Sequence, residues 1–276
     1  MHWLTTFADA LGPKSSSSPN AHDVRTLYVI VEIIAIPIFL LVEGTLIYSM
    51  IKFRRKRGGP EPQQIHGNAP LELGWTIGAT VIVAAIAVTT FIFLPGIENP
   101  ARSEASGLNR IAQTPLASVS QPPPPGDKAL HINVNGQQYI WRFDYTDEKP
   151  LTEGRPMYAY TKMVVPTGTT VLLKINSSDV AHSWWIPKLG GKADAIPGHT
   201  NETWFRISKP GSYFGQCAEL CGENHADMRA LVQAVTPDQY KAWVTQHRND
   251  ILAAQKALAA QRKAGIGNPL PSQSGQ

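Results

Sequence analysis

Two long apolar runs, residues 27–51 and 73–97, restrict the possible architectures more than anything else in the chain. Each is long enough to cross a hydrocarbon core, which takes about 20 helical residues. The second run contains no charged residue. A buried helix pair in a soluble protein would also be apolar, but the length of that uncharged run argues for lipid. Directly after the first run stands KFRRKR, with Lys52, Arg54, Arg55, Lys56 and Arg57. Basic residues flanking a span collect on the cytoplasmic side, so the loop 52–70 is expected inside and both flanks outside. The net charge is only +4, and this local block, with no wider basic surface, gives no sign of nucleic-acid binding.

Residues 1–26 are expected as an outer-facing N-terminal segment. They lack the charged start and cleavage site of a secretory signal, and no early cysteine is present to take a lipid. Within the first span, Glu32 and Glu43 fall on nearly the same helix face at about 100° per residue. Carboxyls in a span face protein or a wet cavity, which points them toward a partner chain. Pro37 removes one helical hydrogen bond. At the inner mouth of the second span, PLELGWT carries Glu72 and Trp75, the latter an interface anchor.

After residue 97 the pattern breaks. Residues 98–127 are Ala/Ser/Pro-rich and include PPPP at 122–125, which reads as an extended tether. From residue 128 to 236 the apolar period becomes two. ALHINVN, QQYIWRFDY, MYAYTKMVV, TTVLLKIN, ETWFRIS and RALVQAV read as strands of an antiparallel sandwich. GSYFG reads as a turn leading into a projecting loop. Residues 237–276 follow as a helix and tail. Thr236, Pro237 and Gln239 form a capping-box start, and the helix is expected to run to about residue 263.

The densest chemistry lies in GQCAELCGENHADM, residues 215–228. Cys217, Cys221, His225 and Met228 follow the pattern C-x3-C-x3-H-x2-M, unlike the C-x2-C pairs of zinc ribbons. Two thiolates, an imidazole and a thioether suit copper, whereas a Met sulfur is an unusual zinc ligand. A mononuclear blue-copper site uses one Cys. The extra thiolate therefore brings a second metal into consideration. These are the only two cysteines, and by count alone a structural disulfide is the common outcome outside the cytoplasm. Upstream, DVAHSWWIPKLGGKADAIPG supplies His182 between a strand and a Trp-rich turn.

Taken together, these two motifs closely resemble subunit II of haem-copper cytochrome c oxidases, the subunit with the dinuclear copper (CuA) centre. The resemblance extends over roughly residues 25–247. It implies a two-helix transmembrane hairpin, an all-β cupredoxin-type Greek-key sandwich and a C-terminal helix. It implies copper held by His182, Cys217, Cys221, His225, Met228 and the backbone carbonyl of Glu219, with the cysteines as bridges. The Glu219 side chain would reach a magnesium ion shared with the catalytic subunit, a role compatible with a carboxylate and waters. LE-x-x-WT resembles the family motif whose glutamate sits at a proton-channel entrance, implying proton uptake at Glu72. GQQYIW resembles the family's GHQWYW, whose first tryptophan is the electron entry. Tyr139 stands at that place here and Trp141 at the second aromatic position. Asp194 matches an acid that would orient a ligand histidine, and His199 stands where the family often has arginine. Trp184 and Trp185 are candidate walls of the site.

The expected function is therefore electron entry in a membrane cytochrome c oxidase, from a c-type cytochrome to copper and then to haem in subunit I. Oxygen reduction and most proton translocation would reside in that other chain, with subunit III a further partner. The resemblance, with the outer-facing start, places both termini and the copper domain outside a bacterial cell membrane. No C-x2-C-H is present, so no covalent haem is expected. Asp144, Asp147, Asp179, Glu223 and Asp227 are candidates for steering a basic cytochrome. A copper-delivery module would instead show exposed, exchangeable ligands. A quinol-oxidase subunit would lack the copper ligands, and a nitrous-oxide-reducing enzyme would need a second large domain.

Overall fold

The structure is a computed structural model that describes residues 12, 15–54, 64–104, 106–108 and 129–264. Half of the N-terminal segment, the core of the basic loop, the PPPP stretch and the C-terminal tail lie outside the described residues. Helix α1 spans Pro19–Lys52 and α2 spans Ala69–Glu98. Both carry broad exposed apolar surfaces, among them Leu40, Leu41, Ile51, Phe91 and Ile92. Both are long and apolar enough to cross a membrane. Glu32 and Glu43 are half-buried.

Helix α1 starts well before its apolar run, so the expected boundary at residue 26 falls inside it. Pro19 occupies the first helical turn after Ser18, where a missing N–H costs nothing. The polar first turn docks on the extramembrane domain rather than trailing away from it. The Asn20 amide donates to the Trp204 carbonyl at 2.7 Å, and the Arg206 N–H donates to Ser18 Oγ at 3.1 Å. From the second helix, the Ile97 carbonyl accepts from Trp204 Nε1 at 2.8 Å. The start of α1 and the end of α2 thus meet the same strand, and the end of α1 and the start of α2 lie at the far end of the hairpin.

The expected tether is also partly docked. The Leu108 N–H donates to Thr169 Oγ1 at 2.9 Å, and the Thr170 N–H donates to Ser103 Oγ at 2.9 Å. Residues 101–104 and 106–108 therefore lie along the domain.

That domain is two packed five-stranded sheets. The first has the order β3 (Met157–Tyr160), β2 (Ile140–Tyr145), β1 (Leu130–Gln137), β5 (Thr170–Ser177) and β8 (Asn201–Arg206). The second has β4 (Lys162–Pro166), β10 (Arg229–Val235), β9 (Gly211–Cys217), β6 (His182–Trp185) and β7 (Ala193–Ala195). Pairing is mixed rather than antiparallel throughout, since β1 runs parallel to β5 and β4 parallel to β10. Alternation does what the sequence implied: Leu130, Ile132 and Val134 of β1 face inward, as do Trp141, Phe143 and Tyr145 of β2. Each such aliphatic or Phe side chain contributes about 1.5–3 kcal/mol when fully buried.

MYAYTKMVV is two strands, not one. Thr161 adopts φ 59°, and the chain passes there from the first sheet to the second. The Tyr145 hydroxyl ties the sheets together across this point, accepting from the Val164 N–H at 2.8 Å and donating to its carbonyl at 3.0 Å. GSYFG is strand rather than turn. It pairs with β10 along its length, and the strand continues through Gln216 and Cys217, which pair with β6. A Cβ at Gly215 would lie 2.1 Å from the Trp185 carbonyl oxygen, so only glycine permits this approach. Helix α3 (Pro237–Lys263) begins with the expected capping box. It buries Tyr240 and Ile251 and rests Trp243 on Tyr145, with ring centroids 5.3 Å apart.

Candidate metal centre

Three chain segments meet at one end of the sandwich. The first is β6, which opens with His182 on the inward face, wholly buried. The second runs from Cys217, the last residue of β9, through a short 3-10 turn, His225–Asp227, to Met228 before β10. Its ends are pinned together by the Cys217 N–H donating to the Met228 carbonyl at 2.9 Å. The Ala218 N–H donates to the Ser183 carbonyl at 2.9 Å, tying the loop to β6. The third segment is the tip of the β1–β2 hairpin, which lies over the cysteine loop.

This framework brings together all the side chains expected to bind copper. The Cys217 and Cys221 sulfurs are 3.9 Å apart. Both are free thiols, far beyond the roughly 2.05 Å of a disulfide. His182 Nδ1 lies 3.8 Å from Cys217 Sγ, and His225 Nδ1 lies 3.5 Å from Cys221 Sγ. The Glu219 carbonyl oxygen is 3.2 Å from Cys217 Sγ, and Met228 Sδ is 3.9 Å from Cys221 Sγ. Sulfurs 3.9 Å apart suit a common metal, because thiolate–metal bonds are about 2.3 Å long. His182, Cys217 and Cys221 by themselves form a buried cluster within 4.8 Å. The residues present fit a soft metal, since three of the donors are sulfur and two are imidazole, with one carbonyl oxygen beside them.

Burial, then the neighbouring Cys217, pushes the Cys221 thiol up to about 11. A metal entering here must therefore displace a proton.

The far side of the His182 ring is held by Asp179, whose Oδ1 lies 2.9 Å from Nε2. With Nε2 carrying the proton, Nδ1 offers its lone pair toward the sulfurs. Burial alone would raise the Asp179 carboxyl. Hydrogen bonds from the Gln138 N–H, the His182 ring and the Val180 N–H outweigh it and hold the group down to about 2. Asp194, expected in this orienting place, is elsewhere. It pairs in register with Ser183, so its side chain shares the sheet face opposite His182, and it is exposed. Asp179 was legible only as an acid close before the histidine.

Trp141 is wholly buried and meets the His182 ring edge-on, with centroids 5.9 Å apart. Trp184 packs on Trp141 at 5.6 Å and forms a wall of the site. Trp185 is half-buried and lies instead under the Lys192 ammonium, 5.7 Å away. Tyr139 sits at the hairpin tip, half-buried, close to Gly222 of the cysteine loop. Of the two aromatic candidates, Tyr139 has surface to offer a partner and Trp141 has none. The Glu219 side chain is exposed. Glu72 lies far from this site, at the start of α2, where its Oε1 accepts the Asn68 N–H at 3.0 Å. Of the candidate steering acids, Asp144 is bound to Arg142 and Asp147 to His131.

Gly136 was missed by sequence reasoning. A Cβ there would lie 2.9 Å from His182 Cδ2 and 3.2 Å from Trp141. The glycine lets the ligand ring pack directly against β1.

A two-helix apolar hairpin carrying a cupredoxin-type sandwich, with a buried His/Cys/Cys cluster at one end, defines a membrane-anchored cupredoxin-type protein with a candidate site for a soft metal. The family described as "Cytochrome C oxidase subunit II, periplasmic domain" matches residues 130–235, and its transmembrane-domain counterpart matches residues 7–93. The chain belongs to the cytochrome c oxidase subunit II family, part of the haem-copper oxidase complex. It is 34% identical over 258 residues to cytochrome c oxidase subunit 2 of Alkalihalophilus pseudofirmus, covering 91% of this chain and 66% of that one. It is 31% identical over 282 residues to the subunit 2 of Cereibacter sphaeroides, covering 90% of this chain and 84% of that one. The crystal structure of the periplasmic domain of subunit II of cytochrome oxidase of Bradyrhizobium japonicum aligns with a TM-score of 0.41 at 31% identity. That alignment covers 44% of this chain and 94% of the other.

Proposed function

We propose that this chain is the electron-entry subunit of a bacterial cytochrome c oxidase and holds a dinuclear copper centre. It takes electrons from a c-type cytochrome outside the cell membrane and passes them to haem in subunit I. There O2 is reduced to water with proton translocation. The observation that carries this reading is a pair of free cysteines 3.9 Å apart with a separate imidazole beside each, His182 against Cys217 and His225 against Cys221. Six donors are too many for one four-coordinate ion and would be enough for two. His182, Cys217, Glu219 through its carbonyl, Cys221, His225 and Met228 would hold the metals. The copper pair, when bound, supplies one-electron redox chemistry.

The protein's own contribution is rigidity and dryness. Cys217, Cys221, Met228 and His182 are buried, and Asp179 holds one imidazole in a single orientation. A site that hardly rearranges on gaining an electron exchanges it quickly. Buried ligands also count against copper delivery, where the metal must leave easily. Tyr139 would be the surface contact for the donor cytochrome. The exposed Glu219 carboxylate would reach a magnesium ion at the boundary with subunit I. Glu72 would serve proton uptake at the inner surface as well as capping α2. Subunit III is a further expected partner.

Copper analysis of the purified full-length chain, with its visible spectrum, tests the centre. Two coppers per chain with strong visible absorption are expected. One copper per chain, or a colourless product, would sink the reading. Cys221→Ser should leave no more than one copper bound.

A further inference from the structure

Gln138 stands at the tip of the β1–β2 hairpin and reaches both ligand-bearing segments. Its side-chain amide donates to the Cys221 carbonyl at 2.7 Å. Its backbone N–H donates to Asp179 Oδ2 at 2.7 Å, and the other oxygen of that carboxylate meets the His182 ring. The same hairpin is tied to the Asp179 turn a second time, by the Ser178 N–H donating to the Gly136 carbonyl at 3.1 Å. On the opposite side the approach is equally close. Gly222 adopts φ +130°, and a Cβ there would lie 2.9 Å from Gln138 Nε2 and 2.5 Å from the Tyr139 hydroxyl.

We propose that Gln138 is a positioning residue: its side chain clamps the cysteine loop to the turn that orients His182, fixing the distance between the two ligand sets. The proposal rests on the copper reading above and deepens it. The β9–β10 ladder holds the two ends of the cysteine loop, at Cys217 and Met228, but not its middle. Cys221 lies in that middle, and the amide of Gln138 restrains its backbone. Without that donor the loop can drift outward while Cys217 and His182 stay in place. The two sulfurs would then separate, and the metal between them would be held less firmly. Partners one step removed from a metal commonly change affinity by about 10–100-fold when lost.

The test uses the full-length chain in detergent, loaded with copper, as wild type, Gln138→Leu, Gln138→Glu and Gln137→Leu. Leu removes the donor, Glu keeps the shape but presents an acceptor to a carbonyl, and Gln137 is the exposed neighbour on β1. Copper loss to a strong chelator, the visible spectrum and the reduction potential are recorded for each. Both Gln138 variants should release copper at least about tenfold faster than wild type and show displaced bands and potential. Gln137→Leu should match wild type. If one Gln138 variant fails to fold, the other still decides. Equal release, spectrum and potential in wild type and Gln138 variants would overturn the clamp alone. A wild-type chain that does not take up two coppers would overturn the copper reading and the clamp with it.

Discussion

Asp179 Oδ1 and His182 Nε2 lie 2.9 Å apart at the turn into β6, and this contact aims the other ring nitrogen at the cysteine sulfurs. The carboxylate also accepts from the backbone of Gln138 and Val180, so it is itself held on several sides.

Asp179→Ala should remove the ring's partner and free it to rotate. Copper affinity is expected to fall about 10–100-fold, measured by competition with a chelator of known affinity. Asp194→Ala, on the opposite face, should leave that affinity unchanged. Equal losses in the two variants would contradict this assignment.

Gly136→Ala puts a methyl group against His182 and Trp141, both buried. Overpacking of this kind costs about 1–3 kcal/mol. The variant should fold with a lowered midpoint in chemical denaturation and an altered copper spectrum. An unchanged spectrum would show that the ring can retreat without moving its donor nitrogen.

Tyr145→Phe separates stability from chemistry. It strips two buried hydrogen bonds from the Val164 backbone where the chain crosses between sheets. Leaving those groups unpaired should cost about 1–3 kcal/mol, read from urea denaturation of the extramembrane domain within the intact chain. Copper binding and spectrum should not change. Burial pushes the Tyr145 phenol far above its ordinary value, so it stays protonated and its contribution should not vary between pH 5 and pH 9.

Trp204→Phe keeps an aromatic ring but loses the donor to Ile97. Hydrogen exchange at the end of α2 and at the start of α1 should speed up, while strands β1 and β2 keep their protection. Uniform loss of protection would mean that Trp204 supports the sandwich rather than the seam with the membrane hairpin.

Much of this protein was legible from residue order because the governing effects are local or periodic. Long apolar runs announce the hairpin, since lipid demands them whatever surrounds them. Alternation announces most strands, because a pleated strand with one buried face must alternate. The capping box of α3 works within a single turn. The candidate metal donors Cys217, Cys221, His225 and Met228 stood out through their short, dense spacing.

Folding decided what depends on register and approach. GSYFG reads as a turn because glycines stand at both its ends, yet it is the body of β9 because β10 supplies a partner along its length. MYAYTKMVV reads as one strand, but Thr161 turns it from one sheet into the other. The choice between Asp179 and Asp194 could not be made from spacing. A side chain on the wrong face of a strand cannot reach its neighbour's ring, and only the β6–β7 register says which face that is. Sequence named the donors; the pairing of distant strands set the distances between them, because those distances depend on hydrogen bonds between segments far apart in the chain.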